Sequence, residues 1–321
     1  MSEPPGPLSA RKVVALGGGH GLSATLSAMR RVVDDLTAVV TVADNGGSSG
    51  RLRQEFGCLP PGDLRQALAA LCGDEDWGRT WASVLQHRFA TRGDLDQHAL
   101  GNLLIVALWE LLGDHVDGLD WVARLLGAHG RVLPMAQVPL DIVATVEGAD
   151  PTLPGRLSEV RGQVEVATTP GAVSEVMLDP PDPPACPEAV KAVGEADWVV
   201  LGPGSWFTSV IPHLLIPELR RALESSPARR LVVLNLAPQA GETEGFSPEA
   251  HLEVLADHAP DLRLDVVLAD RGCVPDEAVL RRTAGQLGAR LELADVALGD
   301  GSARHDHAKL AAAFSRVLQG T

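Results

Sequence analysis

Short valine-rich runs recur along this chain, and three of them stop on glycine: VVALGGGHG from Val13, VTVADNGGSSG from Val40 and VVLGPGS from Val199. A run of four to six apolar residues closed by glycine reads as a strand buried on both faces, the kind found in parallel sheets. Six such strands are expected, at residues 12–16, 38–43, 197–201, 230–236, 265–269 and 291–296. Between them lie segments of helical period. In 22–33, Leu22, Leu26, Met29 and Val33 share one face, and in 63–71 Leu64, Leu68 and Leu71 do the same. The alternation predicts an α/β fold, a mostly parallel sheet covered by helices on both faces.

Residues 130–180 break that rhythm. Segments 138–146, 162–167 and 172–178 read as strands joined by turns without helices, a small antiparallel β excursion, and the proline-rich run DPPDPPACPEAV (179–190) makes a stiff connection out of it. The expected organisation is a frayed leader over 1–10 and a single α/β domain over 11–321.

Charge narrows the partners. With 27 Lys and Arg against 42 Asp and Glu, the net charge of -15 repels nucleic acid and anionic membrane, and 3% aromatic content without tyrosine offers few stacking platforms. An anionic ligand must therefore be held by a local basic site. The four cysteines are scattered without a Cys-x-x-Cys pair, which fits neither a zinc site nor a disulfide framework and is consistent with the cytoplasm. No run approaches the roughly 18 apolar residues of a membrane span.

The chemistry is expected where strands meet glycine. Gly18, Gly19, His20 and Gly21 stand at a strand-to-helix turn, where close backbone approach, free N–H groups and the helix dipole favour an anion. Gly19, Gly21 and Ala24 also fit the dinucleotide pattern G-x-G-x-x-A, and a strand-to-helix turn with no ligand has the same appearance. The second strand ends on Asp44 and Asn45, then Gly46, Gly47, Ser48, Ser49 and Gly50, with Arg51 offering a guanidinium fork suited to phosphate. The alternative is that the serines only cap the next helix. Two such loops suggest a diphosphate held between them. Asp63 and Arg65 fall in the first turn of a helix, and His98 and Asn102 interrupt an apolar one; Asp63 could be an N-cap and Asn102 a satisfied core amide. A third loop carries Gly202, Gly204 and Ser205, with Trp206 and Phe207 available to wall a base or sugar.

Taken together, GGGHGLS, VTVADNGGSSGRLR, PPGDLR, LGNLL, GRVLP, GPGSWFTSVIP, the NLAPQAGET segment beginning at Asn235, and RHDHAKL beginning at Arg304 resemble the gluconeogenesis factor (YvcK) family, a branch of the CofD-like proteins, over about residues 12–318. The resemblance implies a Rossmann-like three-layer fold and a cytoplasmic bacterial protein that binds UDP-sugars such as UDP-N-acetylglucosamine and is required for cell shape on gluconeogenic carbon sources, through a protein partner in envelope regulation. The related enzyme branch, the 2-phospho-L-lactate transferases, uses a nucleotide diphosphate donor, which makes a phosphotransferase with a metal on Asp44 and Asp63 the alternative. A nicotinamide oxidoreductase rests on the G-x-G-x-x-A match alone.

Two positions depart from the family pattern, which usually has Asp-Asp where this chain has Asp44 and Asn45 and often Thr at His20. The neutral Asn45 disfavours Mg²⁺, which prefers carboxylates. In the binding reading the glycine loops frame the diphosphate, Arg51, Arg65 and Arg304 supply positive charge, and Asp44 accepts from a ribose or sugar hydroxyl. His305 and His307 read as a solvated helix start. The expected assembly is a homodimer; residues 209–223 are apolar enough for an interface, with core the commoner explanation of such a run.

Overall fold

The computed structural model describes residues 8–150, 152–153, 155–239 and 241–320. The leader expected over 1–10 lies outside the described residues except for Leu8–Ala10, which form a short 3-10 turn.

The chain runs β1 (Lys12–Gly17), α1 (Gly19–Met29), β2 (Asp35–Val40), α2 (Gly47–Phe56), α3 (Gly62–Ala70), α4 (Asp76–Gln86), α5 (Leu100–Leu112), α6 (His115–Leu126), β3 (Arg131–Pro134), β4 (Asp141–Glu147), β5 (Leu157–Arg161), α7 (Gln163–Thr168), β6 (Ala172–Asp179), α8 (Pro187–Glu195), β7 (Trp198–Leu201), α9 (Pro217–Ser225), β8 (Arg229–Val233), α10 (Pro248–His258), β9 (Val266–Asp270), α11 (Glu277–Gln286), β10 (Arg290–Ala294) and α12 (His307–Gln319). Seven strands form a parallel sheet in the order β10-β9-β8-β7-β1-β2-β3, and β5-β4-β6 form a small antiparallel sheet. All six expected strands of the large sheet are present. Except in the edge strand β10, their central residues are buried on both faces because helices cover both, with α1 packed on α3 and α12, and α8 on α9.

Two details differ from the sequence reading, and one open choice is settled. Arg131–Pro134 is the edge strand of the large sheet, paired with β2, rather than part of the excursion. The segment expected as a strand at 162–167 is the helix α7, because Gly162 has φ +106°, turns the chain out of β5 and accepts the amide of Val166. Residues 209–223 are core: Ile211, Leu214, Ile216, Leu219 and Leu223 are fully buried.

The strand order decides the site. The winding direction reverses at β1, whose neighbours are β2 on one side and β7 on the other. In open α/β sheets the crevice at such a reversal, outside the carboxyl ends of the strands, is where ligands bind. The glycine turns after β1 and β7 both open there.

Candidate functional site

The turns after β1 and β7 are pressed together. A Cβ on Gly21 would lie 2.5 Å from Gly204 Cα and closer still to the carbonyl oxygen of Pro203, so Gly21 is glycine because another backbone occupies the space of a side chain. Asn235, just past β8, clamps the same turn: its Oδ1 accepts the Gly204 N–H at 2.8 Å and its Nδ2 donates to the Gly204 carbonyl at 2.8 Å. Ser205 is held from the other side, its hydroxyl donating to the buried carboxylate of Glu242, which also accepts from Thr208 Oγ1 at 2.7 Å and the Phe207 N–H at 3.3 Å.

Beside these turns lies a cleft of about 680 Å³, lined by His20, Gly21, Pro203, Gly204, Asn235 to Gln239, and the approach to α12 from Ala303 to Ala308. Helix α1 begins at Gly18 without a capping side chain there, and with the Leu22 N–H on the Gly18 carbonyl and the Gly19 N–H on Asp63, it is the His20 and Gly21 end of its first turn that borders the cleft. Positive charge reaches the cleft from Arg304 and from Arg31. Arg304 is exposed and held 3.1 Å from Asp300. His305 is not a solvated start: burial pushes its pKa down to about 4, its Nε2 has no protein partner, and the helix cap is Asp306.

The other side of the β1 turn carries two carboxylates. Asp44, past the end of β2, accepts the Gly46 N–H at 2.9 Å and the Ser49 hydroxyl. Asp63, in the first turn of α3, accepts the Gly19 N–H; a Cβ on Gly18 would stand 2.6 Å from its Oδ2, and one on Gly62 2.6 Å from Asp44 Oδ2. Burial raises the pKa of Asp44. Burial and the neighbouring Asp44 charge push Asp63 up to about 7, so its carboxyl titrates near neutral pH.

Behind the carboxylates runs a buried polar chain. Arg65 Nε donates to Asn102 Oδ1 at 2.8 Å, Asn102 Nδ2 donates to Ser48 Oγ at 3.0 Å, and Ser48 lies 3.1 Å from His98 Nδ1. Burial lowers the Arg65 pKa to about 10, and its Nη1 is buried without a protein partner. Ser49 accepts the Gly62 N–H at 3.0 Å. Both serines thus face inward and tie α2 to α3 and α5, rather than presenting hydroxyls to a phosphate.

Several expected positions stand elsewhere. Arg51 donates to the carbonyls of Asp94 at 3.3 Å and Asp96 at 2.6 Å, holding a surface loop instead of facing the crevice. Trp206 and Phe207 are buried, Trp206 edge-on to His251 and Phe207 edge-on to Phe246, so neither walls an open site. Gly47 has φ +49° and open space around its Cβ position, so its glycine serves the backbone angle and not a close approach. Asn45 does not face Asp63: Nδ2 donates to Glu165 Oε2 at 2.6 Å and Oδ1 accepts the Val164 N–H at 3.1 Å, so its amide binds α7. Among the described residues no group of three or more His, Cys, Asp or Glu is placed to hold a metal ion. Of the residues that shape the turns, Glu165 carried no sequence signal and Glu242 stood in the NLAPQAGET motif without an assigned role, because only the tertiary fold brings them to Asn45 and Ser205.

Comparison with known proteins shows the family. The family model described as 2-phospho-L-lactate transferase CofD matches residues 13–305. A relative from Mycobacterium tuberculosis (strain ATCC 25618 / H37Rv), named as a gluconeogenesis factor, is 56% identical over 310 residues, covering 95% of this chain and 90% of its own. The gluconeogenesis factor of Bacillus subtilis (strain 168) is 35% identical over 266 residues, covering 83% and 80%.

The chain belongs to the CofD family, in its gluconeogenesis factor branch.

A solved structure supports the architecture: the crystal structure of a UPF0052 family protein from Bacillus halodurans superposes with a TM-score of 0.83 at 32% identity, covering 94% of this chain and 98% of that one. No helix among the described residues is long and apolar enough to cross a membrane. The candidate site is thus a crevice at the sheet reversal, with a cleft reached by Arg304 and Arg31 on one side of the β1 turn and the buried carboxylates Asp44 and Asp63 on the other.

Proposed function

We propose that this protein is a cytoplasmic sensor that binds a UDP-sugar, UDP-N-acetylglucosamine being the leading candidate, and passes that state to a protein partner controlling cell envelope and shape on gluconeogenic carbon sources. The observation that carries it is the cleft beside the joined glycine turns, whose size suits a nucleotide and whose mouth holds Arg304 and Arg31 in a protein of net charge -15. The diphosphate lies against the first turn of α1 and Gly204, Arg304 supplies the counter-charge, and the sugar hydroxyls reach Asp44. Arg304→Ala is expected to weaken UDP-N-acetylglucosamine by about 1–3 kcal/mol in calorimetry, the scale of a charged hydrogen bond, because its partner Asp300 is solvated and competes weakly. Unchanged affinity would remove Arg304 from the site.

A second reading draws on the carboxylate pair. Asp44 and Asp63 beside a diphosphate could hold Mg²⁺ through oxygen ligands, which would supply electrostatic stabilisation for phosphoryl or phospholactyl transfer from a nucleotide diphosphate donor. Two carboxylates suit a hard cation, although Asn45 is turned away and contributes none. The experiment is calorimetry with and without Mg²⁺, paired with chromatography of the incubated nucleotide sugar. The sensor reading expects binding in both conditions and an intact UDP-sugar after hours. Metal-dependent release of UDP or UMP would replace it with the transferase reading, and absence of binding by any UDP-sugar would sink the ligand assignment.

A further inference from the structure

The small antiparallel sheet has no role in the cleft just described, yet its helix α7 touches three of the loops around the crevice. At the β2 end, Val164 lies over Gly46, where a Cβ would come within 2.8 Å of Val164 Cγ2 and 3.4 Å of Asp44 Oδ1. At the β7 end, α7 packs on the turn Trp206–Val210. Past β8, the carbonyl of Ala167 occupies the space that a side chain on Gly241 would need. Those strands stand in the order β8-β7-β1-β2, so a helix touching the loops of β8, β7 and β2 lies across the β1 turn between them.

The two ends of this crosspiece are held differently. Its root is tied through β4: Arg53 of α2 pairs with Asp141 at 2.8 Å with both side chains largely covered, and the Gly162 N–H donates to the Ile142 carbonyl at 2.8 Å. Over the carboxylate pair, the polar hold is Asn45 on the Val164 N–H and on the exposed Glu165 carboxylate. Hydrogen bonds open to water contribute little net stability and reform readily.

We propose that α7 is a gate over the Asp44 and Asp63 carboxylates, pivoting about the buried Val166 and latched by the two hydrogen bonds of Asn45, which accepts from Val164 and donates to Glu165. This rests on the reading that these carboxylates receive part of the ligand. It also accounts for the amide at position 45, since a carboxylate there would keep the bond from Val164 and set a second negative charge against Glu165.

The test exploits that polarity. In Asn45→Asp, the two carboxylates repel and the gate opens; in the double variant Asn45→Asp with Glu165→Gln, the amide and the carboxylate exchange places and the gate closes again. Hydrogen exchange of residues 162–168 in the ligand-free protein is expected to quicken by about tenfold in Asn45→Asp and to return to the parent rate in the double variant. Stopped-flow mixing with UDP-N-acetylglucosamine is expected to show faster association and dissociation in Asn45→Asp and parent rates in the double variant. Unchanged exchange in Asn45→Asp, or failure of the swap to restore it, overturns the latch. Changed exchange with unchanged ligand rates overturns the gate. If no variant binds the nucleotide sugar, the functional reading fails while the exchange experiment still judges the latch.

Discussion

Gly21→Ala is expected to lower the stability of the protein by about 3 kcal/mol, read as a fall in the urea midpoint, and to abolish UDP-sugar binding. The added Cβ would stand 2.5 Å from Gly204 Cα and nearer still to the Pro203 carbonyl oxygen, and neither is the free end of a flexible side chain. Relief requires the β1 and β7 turns to separate. The Gly204 turn resists, because Asn235 grips both its N–H and its carbonyl. Separation would remove the wall of the cleft and spoil the alignment of the first turn of α1. Gly47→Ala is the control: with open space around it, its cost is the left-handed backbone angle alone, about 1 kcal/mol. Equal midpoints for the two variants would show that the contact at Gly21 relaxes freely and that the turns are not joined as described.

Asp63→Asn is expected to stabilise the protein at pH 8 by about 2–4 kcal/mol while leaving stability at pH 4 almost unchanged. In the unfolded chain this carboxyl ionises near 3.8, whereas in the folded protein burial and the Asp44 charge hold its proton up to about 7. Between those values the folded state binds more protons than the unfolded one. Its contribution is therefore complete below about pH 4 and is lost as pH rises through 7. The amide cannot ionise, and its oxygen can still accept the Gly19 N–H that Asp63 accepts. Urea unfolding of parent and variant between pH 4 and pH 8.5 measures the effect, and a parent whose stability rises over that range, or a variant with the same slope, contradicts it. A stabilising substitution at a buried carboxylate would mark Asp63 as kept for its chemistry, since the fold alone is better served by the amide.

The local grammar of this protein is written in the chain. Short valine runs closed by glycine read as strands, the helical period of Leu22, Leu26 and Met29 fixes a buried face, and glycine after a strand marks a turn of unusual backbone angle, as Gly19 at φ +54° and Gly202 at φ +72° bear out. These signals are legible because each depends on residues a few positions apart. The family motifs added the glycine turns, Asp44 and Asp63 as a set. What the tertiary structure decided is which partner each residue meets. Gly21 looks like a glycine for phosphate, and strand order places Gly204 against it. Ser48 and Ser49 follow glycines like any anion loop, and the inward face of α2 sends them to Asn102, Gly62 and Asp44 instead. Arg51 leaves that helix on the outward face and finds the carbonyls of a loop more than forty residues away. Asn45, one residue beyond Asp44, points to a helix that the sequence pattern reads as a strand. A hydrophobic period states which face of an element is buried and says nothing of what buries it, so contacts between residues distant in sequence had to await the fold.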